Sequence, residues 1–405
     1  MEYGGDAARL ISQATLPERG VIYFFSHCLN KEGGKKMGKR KEGSKKAMDR
    51  RSFLKGAVGV GAGVAGLALF PRFSSAHKET KELVICSWGG TGLEVEKKTL
   101  YEPFLKETGI RIKETSPPSM SKLVAMVQSG NVEYDLVHID MGMFGTTARK
   151  GDFFEPIDYN MIDKKILANI DPKLQAKQSV GFMYWSLQMG YRTDAFPKGD
   201  HPKNWAEFWD IKKYPGGRCL QAMSPSTFAD LEVALMADGV PPNKLYPIDV
   251  ERAFKSLSKI KKNVVKWWDV GAVPGQLLVD KEVIAASCWN GRFYFLKRKK
   301  APIDVEWNQA LITTDNWIIP KGAPNYLNAM KFINLSLRPE IQGKYCEDGG
   351  YGPVNKDAFK HMSNDAKEDM PSLPKNLAKQ TPYDMLWWAD NADMVSKKWN
   401  EWILS

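Results

Sequence analysis

The sequence predicts an α/β fold of two lobes with a ligand cleft between them, the first lobe built on an open, largely parallel sheet with helices on both faces. Three observations carry this. A β-α-β-α-β order runs from Leu83 to Asp140, and crossover helices of that kind feed parallel strands. The pattern restarts beyond Tyr191-Arg192. Finally, the apolar run Val283-Ile284-Ala285-Ala286 leads to Trp289, and a second strand pattern ends in Asp315-Asn316-Trp317. Open α/β sheets take ligands outside the carboxyl ends of their strands, which assigns Trp289 and Asp315 to the cleft.

The chain has 405 residues, 43% hydrophobic and 26% charged, enough for about two or three domains with a sizeable core. Its formal charge of +11 suggests a nucleic-acid partner until its distribution is read. Residues 1–76 hold 14 of the basic and 6 of the acidic side chains, leaving a body of only about +3. Without a basic stripe, no nucleic-acid partner is expected. Cys86, Cys219, Cys288 and Cys346 are widely separated, so disulfides are open in an oxidising compartment but no pairing is assigned. The histidines and cysteines form no metal-ligand spacing, and neither a metal nor a cofactor is expected.

The leader is the first element in the chain. Asp49-Arg50-Arg51-Ser52-Phe53-Leu54-Lys55 precedes an apolar run from Gly56 to Phe70, and Ser74-Ser75-Ala76 follows it. The order resembles a twin-arginine export signal cleaved near Ala76. The apolar run has 15 residues and five glycines, short of the roughly 20 apolar residues a spanning helix needs. Because Arg50 lies late for such a signal, residues 1–36 are read as an over-extended gene start, with Met37 or Met48 the initiator.

In the body, Leu83–Trp88 reads as a buried strand broken by Gly89-Gly90-Thr91-Gly92 before a helix. Glycines there let the backbone approach a ligand, and the helix start offers unpaired N–H groups. Strands follow at Gly109–Ile112 and Asp135–Asp140, with a helix from Met120 to Gln128 between them. Val180–Ser186 is a strand whose Tyr184-Trp185 pair either lines the cleft or fills the sheet core. Beyond Arg192 come a helix at Asn204–Asp210, a strand at Gly217–Met223 and a helix from Ser226 to Ala237 with Phe228, Leu231 and Leu235 on one face. An amphipathic helix starting at Val250 and a strand at Val265–Asp269 lead to the Glu282–Pro320 stretch. Lys297-Arg298-Lys299-Lys300 complements a helix C-terminus rather than a phosphate. A helix near Asn325 ends in the glycine-rich turn before Tyr351, and the tail docks Trp387, Trp388, Trp399 and Trp402.

Taken in order, Ser87-Trp88, Phe104–Ile110, Tyr134-Asp135-Leu136-Val137, Asn204–Asp210, Trp289-Asn290-Gly291, Ala301–Val305, and Gly350-Tyr351 with Pro353 and Asn355 resemble the periplasmic solute-binding proteins of ABC importers, in the spermidine/putrescine-binding branch. The resemblance implies the type II-like two-lobed fold, closing on a small ligand by hinge motion. Lobe 1 is then residues 77–189 with about 316–356, and lobe 2 residues 190–315 with about 357–405. In that branch aromatic side chains sandwich an alkyl chain and carboxylates hold the ammonium groups, since aromatic faces attract cations and a carboxylate offsets their desolvation. By position the aromatic sites fall on Trp88, Trp289 and Tyr351, and the central carboxylate on Asp315. Other positions depart: the aromatic residue two before the aspartate is Thr313, and the second-lobe acid pair falls on Ser226 and Ala229, beside Asp230. The polar and aromatic positions after the third strand fall on Asp140 and Gly142.

The expected function is therefore capture of a small, amine-containing metabolite, a polyamine or a relative of one, and its delivery to an ABC permease by a monomer in the periplasm. One ammonium is expected near Asp315 or Asp140, and the other end of the ligand near Ser226, Thr227 or the Gly89 turn, with Tyr184 and Trp185 completing the site. No nucleophile elbow, phosphate loop or haem motif supports the alternative, an exported enzyme, so no catalytic residue is assigned. A ligand-sensing subunit with the same fold remains the other alternative.

Overall fold

The computed structural model describes residues 80–405 apart from 197–198 and 225–226. The leader, with its expected export signal, and Ser226 lie outside the described residues. The strands are β1 (Glu82–Cys86), β2 (Arg111–Thr115), β3 (Leu136–Asp140), β4 (Gln175–Ala176), β5 (Ser179–Arg192), β6 (Arg218–Gln221), β7 (Val264–Trp268), β8 (Ala285–Trp289), β9 (Ile303–Ile318), β10 (Gly352–Pro353) and β11 (Thr381–Pro382).

Eight of them form the path β2-β1-β3-β9-β5-β8-β6-β7, with β4 and β10 paired to β5 and β11 to β9. At one end β2, β1 and β3 are parallel; at the other β8, β6 and β7 are parallel. Between them β9 and β5 run antiparallel to each other and to their neighbours β3 and β8. The sheet is thus mixed, where the sequence pattern predicted a largely parallel one.

The two central strands explain this. At 14 and 16 residues they far exceed an ordinary strand of about 5–6 residues, and each spans roughly 45–55 Å, long enough to serve both ends of the molecule. Val180, Phe182 and Met183 at the start of β5 join one apolar core with Leu83, Trp317 and Phe332. Leu187, Met189 and Tyr191 farther along join the other with Leu220, Phe254 and Trp388. Every position of β5 is buried except Tyr184, Trp185 and the terminal Arg192. The register between β5 and β9 shifts at Gly181/Met183 and at Leu187/Met189, so irregularities that bend and re-aim a strand flank the open positions.

Two expectations need correction. Asp315 is not at a strand end but three residues inside β9; it reaches the sheet's crevice because antiparallel β9 carries it past the carboxyl end of β3, opposite Asp140. The helix expected from Ser226 starts only at Leu231. Asp230, at its start, turns its carboxylate to the Gln221 N–H and the Ser287 hydroxyl instead of capping that helix, and Phe228 stacks on Trp388 at 4.7 Å. The stretch 357–373 packs Met362, Ala366 and Met370 into the same core as Leu83, Trp317 and Phe332. The tail does dock as expected: the helix Met385–Leu404 lays Trp399 and Trp402 against Trp267 at 5.3 Å. Among the described residues no helix is long and apolar enough to cross a membrane, and Cys86, Cys219, Cys288 and Cys346 are buried free thiols.

Candidate ligand-binding site

The site is built around Asp315, which is only 4% exposed. One carboxylate oxygen accepts the indole N–H of Trp185 and the other that of Trp88, each at 2.8 Å. Trp185 comes from β5, where it pairs with Thr313. Alternation then puts Trp185 and Asp315 on one face and Tyr184 on the other. Tyr184 accordingly packs with the first core, and the aromatic pair of the sequence is divided.

Trp88 follows β1. The turn after it needs glycine: Gly89 and Gly90 have φ of 78° and 61°, and a Cβ on Gly89 would lie 2.8 Å from the Ser116 hydroxyl. Trp88 remains 42% exposed although its N–H reaches the buried Asp315. A large indole left half in water at a strand end marks a surface kept open.

Behind Asp315 stands a row of charged groups that the sequence reading passed over. Nε2 of His138 is 3.3 Å from Asp315, and Nδ1 is 3.0 Å from Glu96, whose other oxygen accepts the Tyr101 hydroxyl at 2.7 Å. His138 and Glu96 are 1% and 3% exposed. Burial works against the imidazolium, but the carboxylates of Asp315 and Glu96 outweigh it and raise His138 to about 9. A π-helical turn, Lys97–Tyr101, interrupts the helical run from Gly90 to Thr108. The wider turn puts Glu96 and Tyr101, five residues apart, within bonding distance. The available signal was Glu96 itself, an acid in the apolar stripe of Leu93 and Leu100.

Asp140 faces Asp315 across the β3–β9 register. Its Oδ1 caps the helix Met141–Ala148, accepting the N–H groups of Gly142 at 2.7 Å and Met143 at 2.9 Å. Burial and then the neighbouring Asp315 raise its carboxyl to about 6.

The adjoining wall comes from the end of β8, which pairs with β5 and sets Trp289 opposite Leu187. Trp289 stands edge-on to Trp268 at 5.1 Å, and Gly271 lies so close beneath it that a Cβ would meet the ring at 2.6 Å and Nε of Arg292 at 3.2 Å. Asn290 ties this wall to the rest: Oδ1 accepts the Ser186 N–H at 2.8 Å, and Nδ2 donates to the Gly350 carbonyl at 2.6 Å. Tyr351 then lies over Gly291, where a Cβ would be 3.3 Å from the ring. Burial pushes the Tyr351 hydroxyl up to about 12; Arg292 pulls it down, while Asp315 and Glu96 raise it further. Arg292 is exposed, and none of the ion pairs of the described residues uses it. Sequence reading missed it because a lone arginine after Trp289-Asn290-Gly291 has no distinctive spacing.

Of the predicted residues, the structure brings together Trp88, Asp140, Trp185 and Asp315, with Trp289 and Tyr351 on the adjoining wall and Gly89 in the supporting turn. Thr227 stands apart from this cluster: it is 2% exposed and its hydroxyl bonds to Ala222 O at 2.9 Å and to Ser224 at 2.7 Å.

The family model for bacterial extracellular solute-binding proteins matches residues 99–375. The chain is 29% identical over 335 residues to the gamma-aminobutyric acid-binding protein of Pseudomonas aeruginosa, covering 81% of this chain and 93% of that one. It is 27% identical to the spermidine/putrescine-binding periplasmic protein of Escherichia coli, covering 77% and 88%. Among solved structures it is similar to a GABA receptor, with 34% identity, TM-score 0.70, and 80% and 97% of the two chains covered. It is also similar to the binding protein AgtB of Agrobacterium tumefaciens R10 in complex with agropinic acid, at 32% identity, TM-score 0.65, and 80% and 99% coverage. With the mixed sheet, the two long central strands and the aromatic-lined Asp315, these matches define the relationship: the chain belongs to the bacterial extracellular solute-binding proteins.

Proposed function

We propose that the protein captures a small zwitterion carrying one ammonium and one carboxylate, of the ω-amino acid type, and delivers it to the permease of an ABC importer. The observation that carries this reading is Asp315 held at 2.8 Å by the indole N–H groups of Trp88 and Trp185, while the exposed Arg292 follows Trp289 at the end of β8, its Nε beside Gly271. The ammonium lies at Asp315, bounded by the indoles of Trp88 and Trp185, where cation–π attraction adds to the carboxylate. The carboxylate meets Arg292, whose planar fork suits it. Trp289 and Tyr351 enclose the methylenes between. The relatives named for gamma-aminobutyric acid support an amino acid over a polyamine, as do Ala229 and Thr313, which stand where the polyamine-binding branch carries an acid and an aromatic ring.

Export through the twin-arginine route, cleavage near Ala76 and residence in the periplasm as a monomer complete the reading, supported by the leader's residue order and by periplasmic relatives. Closure bends the two lobes about the shifts of register in β5 and β9. Calorimetric titration of the mature chain with 4-aminobutyrate and with putrescine tests the ligand class. The expected result is binding of 4-aminobutyrate that weakens at least tenfold in Arg292→Ala. Preference for putrescine, unaffected by Arg292→Ala, overturns it.

A further inference from the structure

We infer that the buried pair Glu96–His138 sets the charge of the ammonium subsite, making it a site for one ammonium and not two. The inference rests on the ligand class proposed above and concerns residues that touch no ligand. Three ionisable side chains stand in a row, Glu96, His138 and Asp315, with contacts of 3.0 and 3.3 Å. All three are at least 95% buried, so water screens them little. Tyr101 occupies the far oxygen of Glu96, and the two indoles occupy the cleft side of Asp315.

Within the row, two carboxylates and one imidazolium leave one negative charge; Asp140, opposite Asp315, is a further carboxylate, but its Oδ1 is engaged by the Gly142 and Met143 N–H groups at the start of the helix Met141–Ala148. A lone buried aspartate would present the same total, but the row spreads it over Glu96 and Asp315 with the cation between them. Removing His138 alone exposes two uncompensated carboxylates, suited to two positive charges. Removing Glu96 alone leaves Asp315 neutralised by His138, with only the helix-capping Asp140 left to attract an ammonium. Removing both restores one negative charge. A role in packing alone predicts none of this, because Glu96→Gln and His138→Gln keep hydrogen-bonding groups near the same places while changing charge in opposite directions. Glu96 and His138 are therefore positioning residues acting through Asp315.

The experiment is a double-mutant cycle on the mature chain, read by titration with 4-aminobutyrate and putrescine. Far-UV circular dichroism and thermal midpoint serve as fold controls. Glu96→Gln is expected to weaken 4-aminobutyrate at least tenfold. His138→Gln is expected to shift the ratio of the two affinities at least tenfold toward putrescine. The double variant is expected to return within about threefold of wild type, less than the roughly 1.4 kcal/mol that a tenfold change represents. A folded Glu96→Gln protein with unchanged affinity, or a double variant no better than Glu96→Gln, overturns the inference. Should wild type bind neither probe, the ligand class above fails, while the charge row is still tested by the imidazole NMR signals of His138, assigned by difference from His138→Gln. A protonated ring at pH 7.5 in wild type supports the row, and a neutral ring overturns it.

Discussion

Asp140 and Asp315 stand directly opposite one another in the antiparallel register of β3 and β9, yet they are held by different kinds of donor. Asp140 takes two backbone N–H groups at a helix start, whereas Asp315 takes two indole N–H groups, one from β5 and one from the turn after β1. The first arrangement fixes a backbone turn, and the second fixes two aromatic side chains.

Asp140→Asn tests that division. Asparagine caps helices as well as aspartate does, so the helix Met141–Ala148 should persist. The wild-type carboxyl ionises near 6 in the folded protein, above its ordinary 3.8, so Asp140 costs stability as pH rises from about 4 through 6. The variant is expected to be about 1 kcal/mol more stable at pH 7, with a flatter thermal midpoint across that window.

His138 makes the same kind of prediction at higher pH. Its folded value of about 9 exceeds the unfolded 6.5, so its contribution is full below 6.5 and is lost as pH rises through 9. The midpoint of the ligand-free protein should fall over that interval by the equivalent of about 1–3 kcal/mol. His138→Gln should remove most of the slope, and an unchanged slope would place the titrating group elsewhere.

Trp88 and Trp185 share Asp315 but not their consequences. Trp185→Phe leaves a carboxylate oxygen inside the sheet crevice without its donor and is expected to cost about 1–3 kcal/mol in denaturant unfolding. Trp88→Phe removes a donor at the exposed mouth, where water replaces it. Stability should change by less than about 0.5 kcal/mol, with ligand affinity reduced several-fold in titration.

Asn290 joins the end of β8 to β5 on one side and to Gly350 on the other. Asn290→Ala orphans a buried N–H and a buried carbonyl and should cost about 2–4 kcal/mol by chemical unfolding. Asn290→Asp keeps the acceptor for Ser186 but replaces the donor to Gly350 with an oxygen. It should therefore rescue little of that loss.

Much of this arrangement was legible in the chain. Trp88, Trp289 and Asp315 announce themselves because aromatic and acidic residues interrupt apolar strand patterns. Asp315 was placed at a strand end because a pattern shows where apolar residues stop, not which neighbour runs alongside; only the 16 residues of β9 show that it lies beside β3. His138 was read as one residue of a buried strand, since its partners lie 42 residues before and 177 residues after it and no local spacing links them. Tyr184 and Trp185 were taken together as neighbours in sequence, although neighbours in a strand face apart. Arg292 became visible only when Gly271, Trp289 and Tyr351 had been brought around it.

The π-helical turn at Lys97–Tyr101 makes this protein sensitive to residue count as well as residue type. Deleting one residue there would convert the turn to ordinary α-helix and rotate Gly90–Glu96 by about 100° against the helix that follows. Glu96 would swing out of line with His138 while every amino acid in the row stayed the same. Along that helix, substitutions that spare Glu96 and Tyr101 leave the row connected, whereas single-codon deletions disconnect it.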